Sequence, residues 1–389
     1  MGILRNTVSC CQFKITGPVP KEKLEDWALE SIQKRGFISI ADSNTEKSVG
    51  WVSIDDINDS SFFNAGTVLR KPYIVFAMRI DQRKVPASVL KHTYEHKCRQ
   101  WLAEHPDFQW VPKDRKADLK ELAHQDLLGK TLPVPTVVDA LWNTAKNILT
   151  VTSLTSTQLD EFDGLFRETF EQLGMEAIHP YARAASVLDP KHHSRLEQYN
   201  ESTSDSVVDM IKDNKWLGCD FLLWLTHQSI VTASDYVVTQ PGPAFEGQPF
   251  VSYVNNRLIL VGVDGDSEQK IIYSGPQAQF DEVRSALRMG KQISEATLHI
   301  ERDEEEWKMT LKAEQFHFSS FKSPKVQIER DDLTDEASEK DAVFYERMHL
   351  LETGLQLFDS LYEEFLKVRL SSEWNEKKKA AKKWYERGH

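Results

Sequence analysis

Residues 70–101 read RKPYIVFAMRIDQRKVPASVLKHTYEHKCRQW. Residues 73–80 are a run of β-branched, aromatic and apolar side chains of strand length. Pro86, whose fixed φ suits a first helical turn, then opens a segment expected to stay helical from Ala87 to about Glu104, ahead of Pro106. The segment thus joins a strand to a long helix. The stretch is also basic. Arg70, Lys71, Arg79, Arg83, Lys84, Lys91, Lys97 and Arg99 face only Asp81 and Glu95, a net +6 inside a chain of net charge −12. Charge divided like this suggests one surface built for a polyanion and others that repel it.

Upstream, residues 8–15 read as a strand and Gly17-Pro18-Val19-Pro20 as a turn. Residues 21–34 form a helix that buries Leu24, Trp27 and Ile32 and stops at Gly36. Strands are expected at 37–40 and 49–54. Downstream, a helix over 114–128 ends at Gly129, because Pro133-Val134-Pro135 cannot continue it. Residues 137–142 and 148–152 look like a hairpin. Leu159, Phe162, Phe166, Phe170 and Leu173 then share one 3.6-period face of a helix capped by Gly174. Residues 181–215 lose the pattern and read as a linker or long loop.

Order resumes at Phe221-Leu222-Leu223-Trp224-Leu225. Strands at 249–263 and 269–273, a helix at 277–289 and further strands to Phe321 follow. Residues 329–341 hold seven acids against two bases, as a solvated linker would. Beyond them Phe344, Met348, Leu351, Leu355, Phe358, Tyr362 and Phe365 form a heptad seam. It packs either onto its own domain or onto another chain. The basic tail 377–389 reads as a frayed, solvated helix end. These divisions define an N-terminal α+β domain with basic helices (1–180), a second α+β domain (181–328), and an acidic linker with a long C-terminal helix (329–389).

Composition excludes several classes. With 389 residues, 40% of them hydrophobic, 10 Trp and 19 Phe, the chain has core material for two or three domains and is no disordered polyelectrolyte. Cys10, Cys11, Cys98 and Cys219 form no C-x-x-C pair and read as reduced thiols of a cytosolic protein. No apolar run reaches the roughly 20 residues of a membrane span. The first residues lack a signal-peptide core, and Asn6 stands where a myristoylation start wants Ser or Thr. A cytoplasmic protein that touches no membrane is expected.

His92-Thr93-Tyr94-Glu95-His96 has the H-x-x-E-H spacing of a zinc peptidase, with Glu168 or Glu171 as a possible third ligand. The basic surroundings disfavour a divalent cation. Gly129-Lys130-Thr131 mimics the end of a P-loop, but His124 stands where the first glycine belongs, so an NTPase is rejected. Asp303-Glu304-Glu305-Glu306 is acidic enough for a metal-dependent nuclease, yet such a run is usually a hairpin tip. No catalytic residue, metal or cofactor is assigned. The basic block instead marks Arg83, Lys84, Lys91, Lys97, Arg99, Lys113, Lys116, Lys120 and Lys130 as candidate phosphate neutralisers on two successive helices. Contacts of that kind are electrostatic and indifferent to sequence. A solvated amphipathic helix is the competing reading. Two rival functions are a metal-dependent enzyme and a protein–protein adaptor that uses the C-terminal seam.

Several pieces, in this order, resemble the RdgC family of recombination-associated proteins. They are Gly36-Phe37, Gly50-Trp51-Val52, Val85-Pro86-Ala87-Ser88-Val89-Leu90-Lys91, the helix over 116–128, Trp142 with the hairpin to Thr152, and the helix from Leu159 to Gly174 leading to His179-Pro180. Leu217 to Leu225 and Met289-Gly290-Lys291 are similar but looser. The resemblance implies a horseshoe-like α+β subunit, with mixed or antiparallel sheets flanked by helices, that dimerises into a ring around duplex DNA. It also implies DNA binding without sequence preference, a nucleoid-associated location, and restraint of the RecA recombinase. The chain departs from the family at Leu127-Leu128-Gly129-Lys130-Thr131-Leu132, where an aromatic is missing. It also departs in an expanded 181–275 region and in the tail beyond Ser371.

Overall fold

A computed structural model describes residues 2–204, 206–231, 235–264, 267–275, 280–327 and 336–386. The chain runs β1 (Thr7–Thr16), α1 (Leu24–Lys34), β2 (Lys47–Val52), β3 (Leu69–Arg70), β4 (Tyr73–Gln82), α2 (Ala87–Glu104) and α3 (Lys113–Leu128). It continues through β5 (Val134–Asn143), β6 (Ile148–Val151), α4 (Ser156–Thr169), β7 (Gly174–Ala177), α5 (Pro180–Val187), α6 (His193–Gln198), α7 (Val207–Asp213) and α8 (Trp216–Val231). Then come β8 (Asp235–Val237), β9 (Pro249–Asp264), β10 (Ser267–Ser274), α9 (Asp281–Arg288), β11 (Gln292–Arg302), β12 (Glu305–Lys312), β13 (His317–Lys322), α10 (Glu336–Arg369) and α11 (Trp374–Glu386). Helices and antiparallel strands occur in both halves, so the chain is α+β. Two compact units form, and neither is continuous in sequence. The smaller holds Gly17–Asn147 and Thr157–Gly174; the larger holds Met1–Thr16, Ile148–Ser156 and Met175–His389.

In the smaller unit β4 lies between β2 and β5, antiparallel to both, and β3 adds to one end of β4. As the central strand, β4 is buried along almost its whole length, which explains its unbroken apolar run. Helix α4 covers one face. Phe162 lies 5.4 Å from Trp51, Phe170 lies 5.8 Å from Trp142, and the Trp51 indole donates to Thr169 Oγ1 at 2.7 Å. Each such buried aromatic contributes about 1.5–3 kcal/mol by leaving water. The expected strand at 37–40 does not form. Phe37 instead donates its N–H to the Trp51 carbonyl and packs with Val52 and Ala77. A Cβ on Gly50 would stand 2.4 Å from the Phe37 backbone, so only glycine admits this crossing. Helix α4 ends at Thr169, short of the cap expected at Gly174. Phe170 and Leu173 are still buried, carried by the turn that follows.

The larger unit is built on an antiparallel sheet in the order β10-β9-β11-β12-β13-β1-β6, with β8 beside β9 and β7 beside β1. The first half of β1 pairs with β13 and its second half with β6. Helices α8 and α10 pack on this sheet. The heptad residues Phe344, Met348, Leu351, Leu355, Phe358, Tyr362 and Phe365 are all buried here. Phe358 meets Phe318 at 5.0 Å, and Phe365 meets Phe221 at 5.4 Å. The seam is therefore occupied within its own unit and is not open to the adaptor role. Gly354 makes the approach possible, since a Cβ there would stand 2.5 Å from the Trp307 ring.

Two polar stretches also differ from expectation. Residues 181–215 hold α5, α6 and α7, not a linker, because Ala184, Val187, Leu188 and Leu196 are buried. Buried Arg183 joins this region to α10 by an ion pair with Asp359, and Tyr362 donates to the Pro180 carbonyl at 3.1 Å. Residues 387–389 of the tail lie outside the described residues; up to Glu386 it is no frayed end, since α11 docks Trp374 and Ala381 and its Trp384 ring lies 5.8 Å from His227. Of the acidic stretch 329–341, residues 329–335 lie outside the described residues, and the remainder already belongs to α10.

Candidate nucleic-acid interface

Helices α2 and α3 are inserted between the neighbouring strands β4 and β5 of the smaller unit. No residue of α2 is buried, and only Ala123 and Leu128 are buried in α3. Such helices do little for a core and leave their side chains to solvent. They pack on each other. Lys97 reaches Asp126 at 2.5 Å, and this ammonium lowers the Asp126 pKa. The link 105–112 exposes Phe108 and Trp110, the latter by 70%. Nearby, Trp101 stacks on His105 at 4.2 Å and meets Phe108 at 5.3 Å.

Much of the basic block serves the fold. Arg70 pairs with Asp55 at 2.6 Å, and Lys71 with Glu25 at 3.1 Å. Arg79 pairs with Asp81 at 2.7 Å and lies over the Phe37 ring. Arg83 corrects the expectation most sharply. It is buried, and its guanidinium donates to the carbonyls of Ile40 (2.7 Å), Ala41 (3.0 Å), Ser43 (2.9 Å), Leu128 (3.3 Å) and Thr131. A cation so enclosed is not available to a phosphate.

The other candidates stand differently. Lys84, Lys91, Lys113, Lys116, Lys120 and Lys130 are exposed and make no ion pair or side-chain hydrogen bond among the described residues. Arg99 is exposed, with one long bond of 3.4 Å to the Glu95 carbonyl. Lys97 is held by Asp126 and is less available. Over residues 83–130 ten bases meet seven acids, so the insertion is only mildly cationic and its use rests on local segregation.

That segregation is clearest in an open groove of about 550 Å³ between the two helices. Its lining is Ala87, Leu90, Lys91 and Tyr94 of α2 with Lys116, Ala117 and Lys120 of α3. Three lysines thus converge from two helices, and no carboxylate lines the groove. Like charges gathered without a counter-charge repel one another, a cost that a bound anion would remove. The apolar members of the groove were missed in the sequence. Their only signal was the spacing of Ala87, Leu90, Lys91 and Tyr94 at three and four residues, which puts them on one helical face.

His92, Glu95 and His96 stand exposed on α2. Among the described residues no three His, Cys, Asp or Glu side chains gather to hold a metal. Glu168, one suggested third ligand, pairs with Arg35 at 3.3 Å. The zinc-peptidase reading therefore lacks a donor set. Asp303 and Glu304 form the turn between β11 and β12, while Glu305 pairs with Arg302 and Glu306 lies 2.9 Å from His299 Nδ1. No described helix is long and apolar enough to cross a membrane.

In comparison with known proteins, residues 10–189 match the family model described as "Putative exonuclease, RdgC". No curated protein matches the chain. The matched segment contains the whole α2–α3 insertion and every candidate phosphate contact. The chain is therefore similar to the RdgC family over residues 10–189, consistent with a longer RdgC-like variant.

Proposed function

We propose that this protein binds double-stranded DNA without sequence preference, through phosphate contacts made by α2 and α3. The observation that carries the reading is the convergence of Lys91, Lys116 and Lys120 on one groove free of carboxylates. Lys84, Lys113, Lys130 and Arg99 extend the contact, and Arg83 holds its scaffold. Similarity to the family over residues 10–189 supports a recombination-associated DNA-binding role in general. From the resemblance we carry forward the finer assignments: a homodimer that closes into a ring around the duplex, a nucleoid-associated cytoplasmic location, and restraint of the RecA recombinase. The exposed Phe108 and Trp110 supply apolar surface of the kind self-association uses.

Equilibrium binding to two unrelated duplexes over a salt series tests this. Both should bind equally, with a slope of about −0.9 per phosphate contact. Lys91→Glu with Lys116→Glu should weaken both duplexes alike and flatten the slope by about 2. Titration should give two chains per bound duplex. An affinity that the double variant leaves unchanged would sink the phosphate assignment, and one chain per duplex would sink the ring. The family description favours a second reading, an exonuclease. Magnesium- or manganese-dependent release of nucleotides from a linear duplex would establish it in place of a purely binding role.

A further inference from the structure

The groove between α2 and α3 has a feature that phosphate binding leaves idle. Its lysines surround an apolar floor made by Ala87, Leu90, Ala117 and the ring of Tyr94. The backbone of an intact duplex presents sugars and phosphates, with its bases stacked inside, so it has nothing to lay on such a floor. An unpaired nucleotide does: a flat base for the floor and a phosphate for the rim.

We infer that this groove receives an unpaired nucleotide of a DNA strand, its base against Tyr94 and Leu90 and its phosphates among Lys91, Lys116 and Lys120. The inference rests on the DNA-binding reading above and narrows it. Charge complementarity selects the occupant, since three cations from two helices line the groove and no acid does. Size agrees, because about 550 Å³ is within the range of small-ligand sites. Interaction with the Cys98 side chain one turn along α2, together with burial, raises the Tyr94 pKa. The ring thus stays neutral, and it lines the groove beside Leu90. Stacking on an aromatic ring does not depend on base identity, so such a site keeps the sequence indifference of phosphate contacts.

The experiment compares two duplexes that carry the same 3′ single-stranded extension, one with bases and one with abasic sugars, at fixed salt. The phosphates are equal in number, so only the bases differ. The full chain should bind the base-bearing extension roughly tenfold more tightly. Tyr94→Ala should erase that difference between the two extensions, while Tyr94→Phe should retain it. Circular dichroism of each variant checks that the helices persist. Equal affinity of the full chain for the two extensions would overturn the inference while leaving the DNA-binding reading intact, and the groove would then suit a plain phosphodiester or an acidic peptide. A preference that survives Tyr94→Ala would overturn the assignment to this groove. Failure to bind any of the DNAs at low salt would overturn both readings together.

Discussion

At the scale of single residues, burial decides what a charge can do. Arg83 was expected among the DNA contacts because it sits in the basic block, yet its guanidinium joins the loop at Ile40–Ser43 to the end of α3 through five carbonyls. Arg83→Leu should cost about 3 kcal/mol, since it leaves buried acceptors unsatisfied. Urea unfolding measures this, and a loss below 0.5 kcal/mol would refute the structural role. Histidines supply the pH response. Burial, aided by Lys312, pushes the His317 pKa down from 6.5 to about 4, and burial depresses His179 and His227 in the same direction. A base whose folded pKa is lowered binds fewer protons folded than unfolded. Its contribution is therefore complete above the ordinary value near 6.5 and is lost as pH falls toward 4. Melting temperature should drop across that window. His317→Gln should make the drop shallower, and an unchanged pH profile would count against this assignment.

At the scale of elements, two pairs of helices show opposite solutions. Helices α10 and α8 are held by aromatic packing, whereas α2 and α3 barely enter a core. Phe358 contacts the rings of Phe221, Phe316, Phe318 and Tyr362. Phe358→Ala should cost about 3–5 kcal/mol through lost burial and the cavity left behind. The double charge reversal at Lys91 and Lys116 should stay within about 0.5 kcal/mol of the parent. Measured side by side by urea unfolding, the two variants separate stability from binding. A large loss in the lysine variant would show that the insertion belongs to the core after all. The helix over 87–104 was legible to the residue from Pro86 and Pro106, because proline acts locally. The short helices of 181–215 were not, because each is stabilised by partners far away in the chain, as Arg183 is by Asp359.

At the scale of the whole molecule, the family match and the folding units do not coincide. Residues 10–189 match the family model, but the larger unit draws its sheet from both ends of the chain. Strand β1 is paired along its first half by β13, some three hundred residues later. Expressed alone, residues 1–189 should leave that edge of β1 unpaired and Arg183 without Asp359. Exposed strand edges template association, so the fragment should aggregate or unfold at lower urea than the full chain. A monomeric fragment of undiminished stability would contradict this dependence.

The sequence by itself determined the α+β class, most of the strands and long helices, the basic block and the resemblance over the first half. All of these rest on local spacing, on Pro and Gly, or on collinear motifs. The tertiary structure decided which cations are free. Arg70, Arg79 and Arg83 lie in the same basic stretch as Lys84 and Lys91, but Asp55, the Phe37 ring and the carbonyls of Ile40, Ala41 and Ser43 engage the first three in turn and the lysines stay open. It also decided that the heptad seam faces its own sheet, and that Lys91, Lys116 and Lys120 share one groove with Tyr94. Burial and convergence depend on contacts between residues far apart in the chain, and periodicity within one segment carries no information about those.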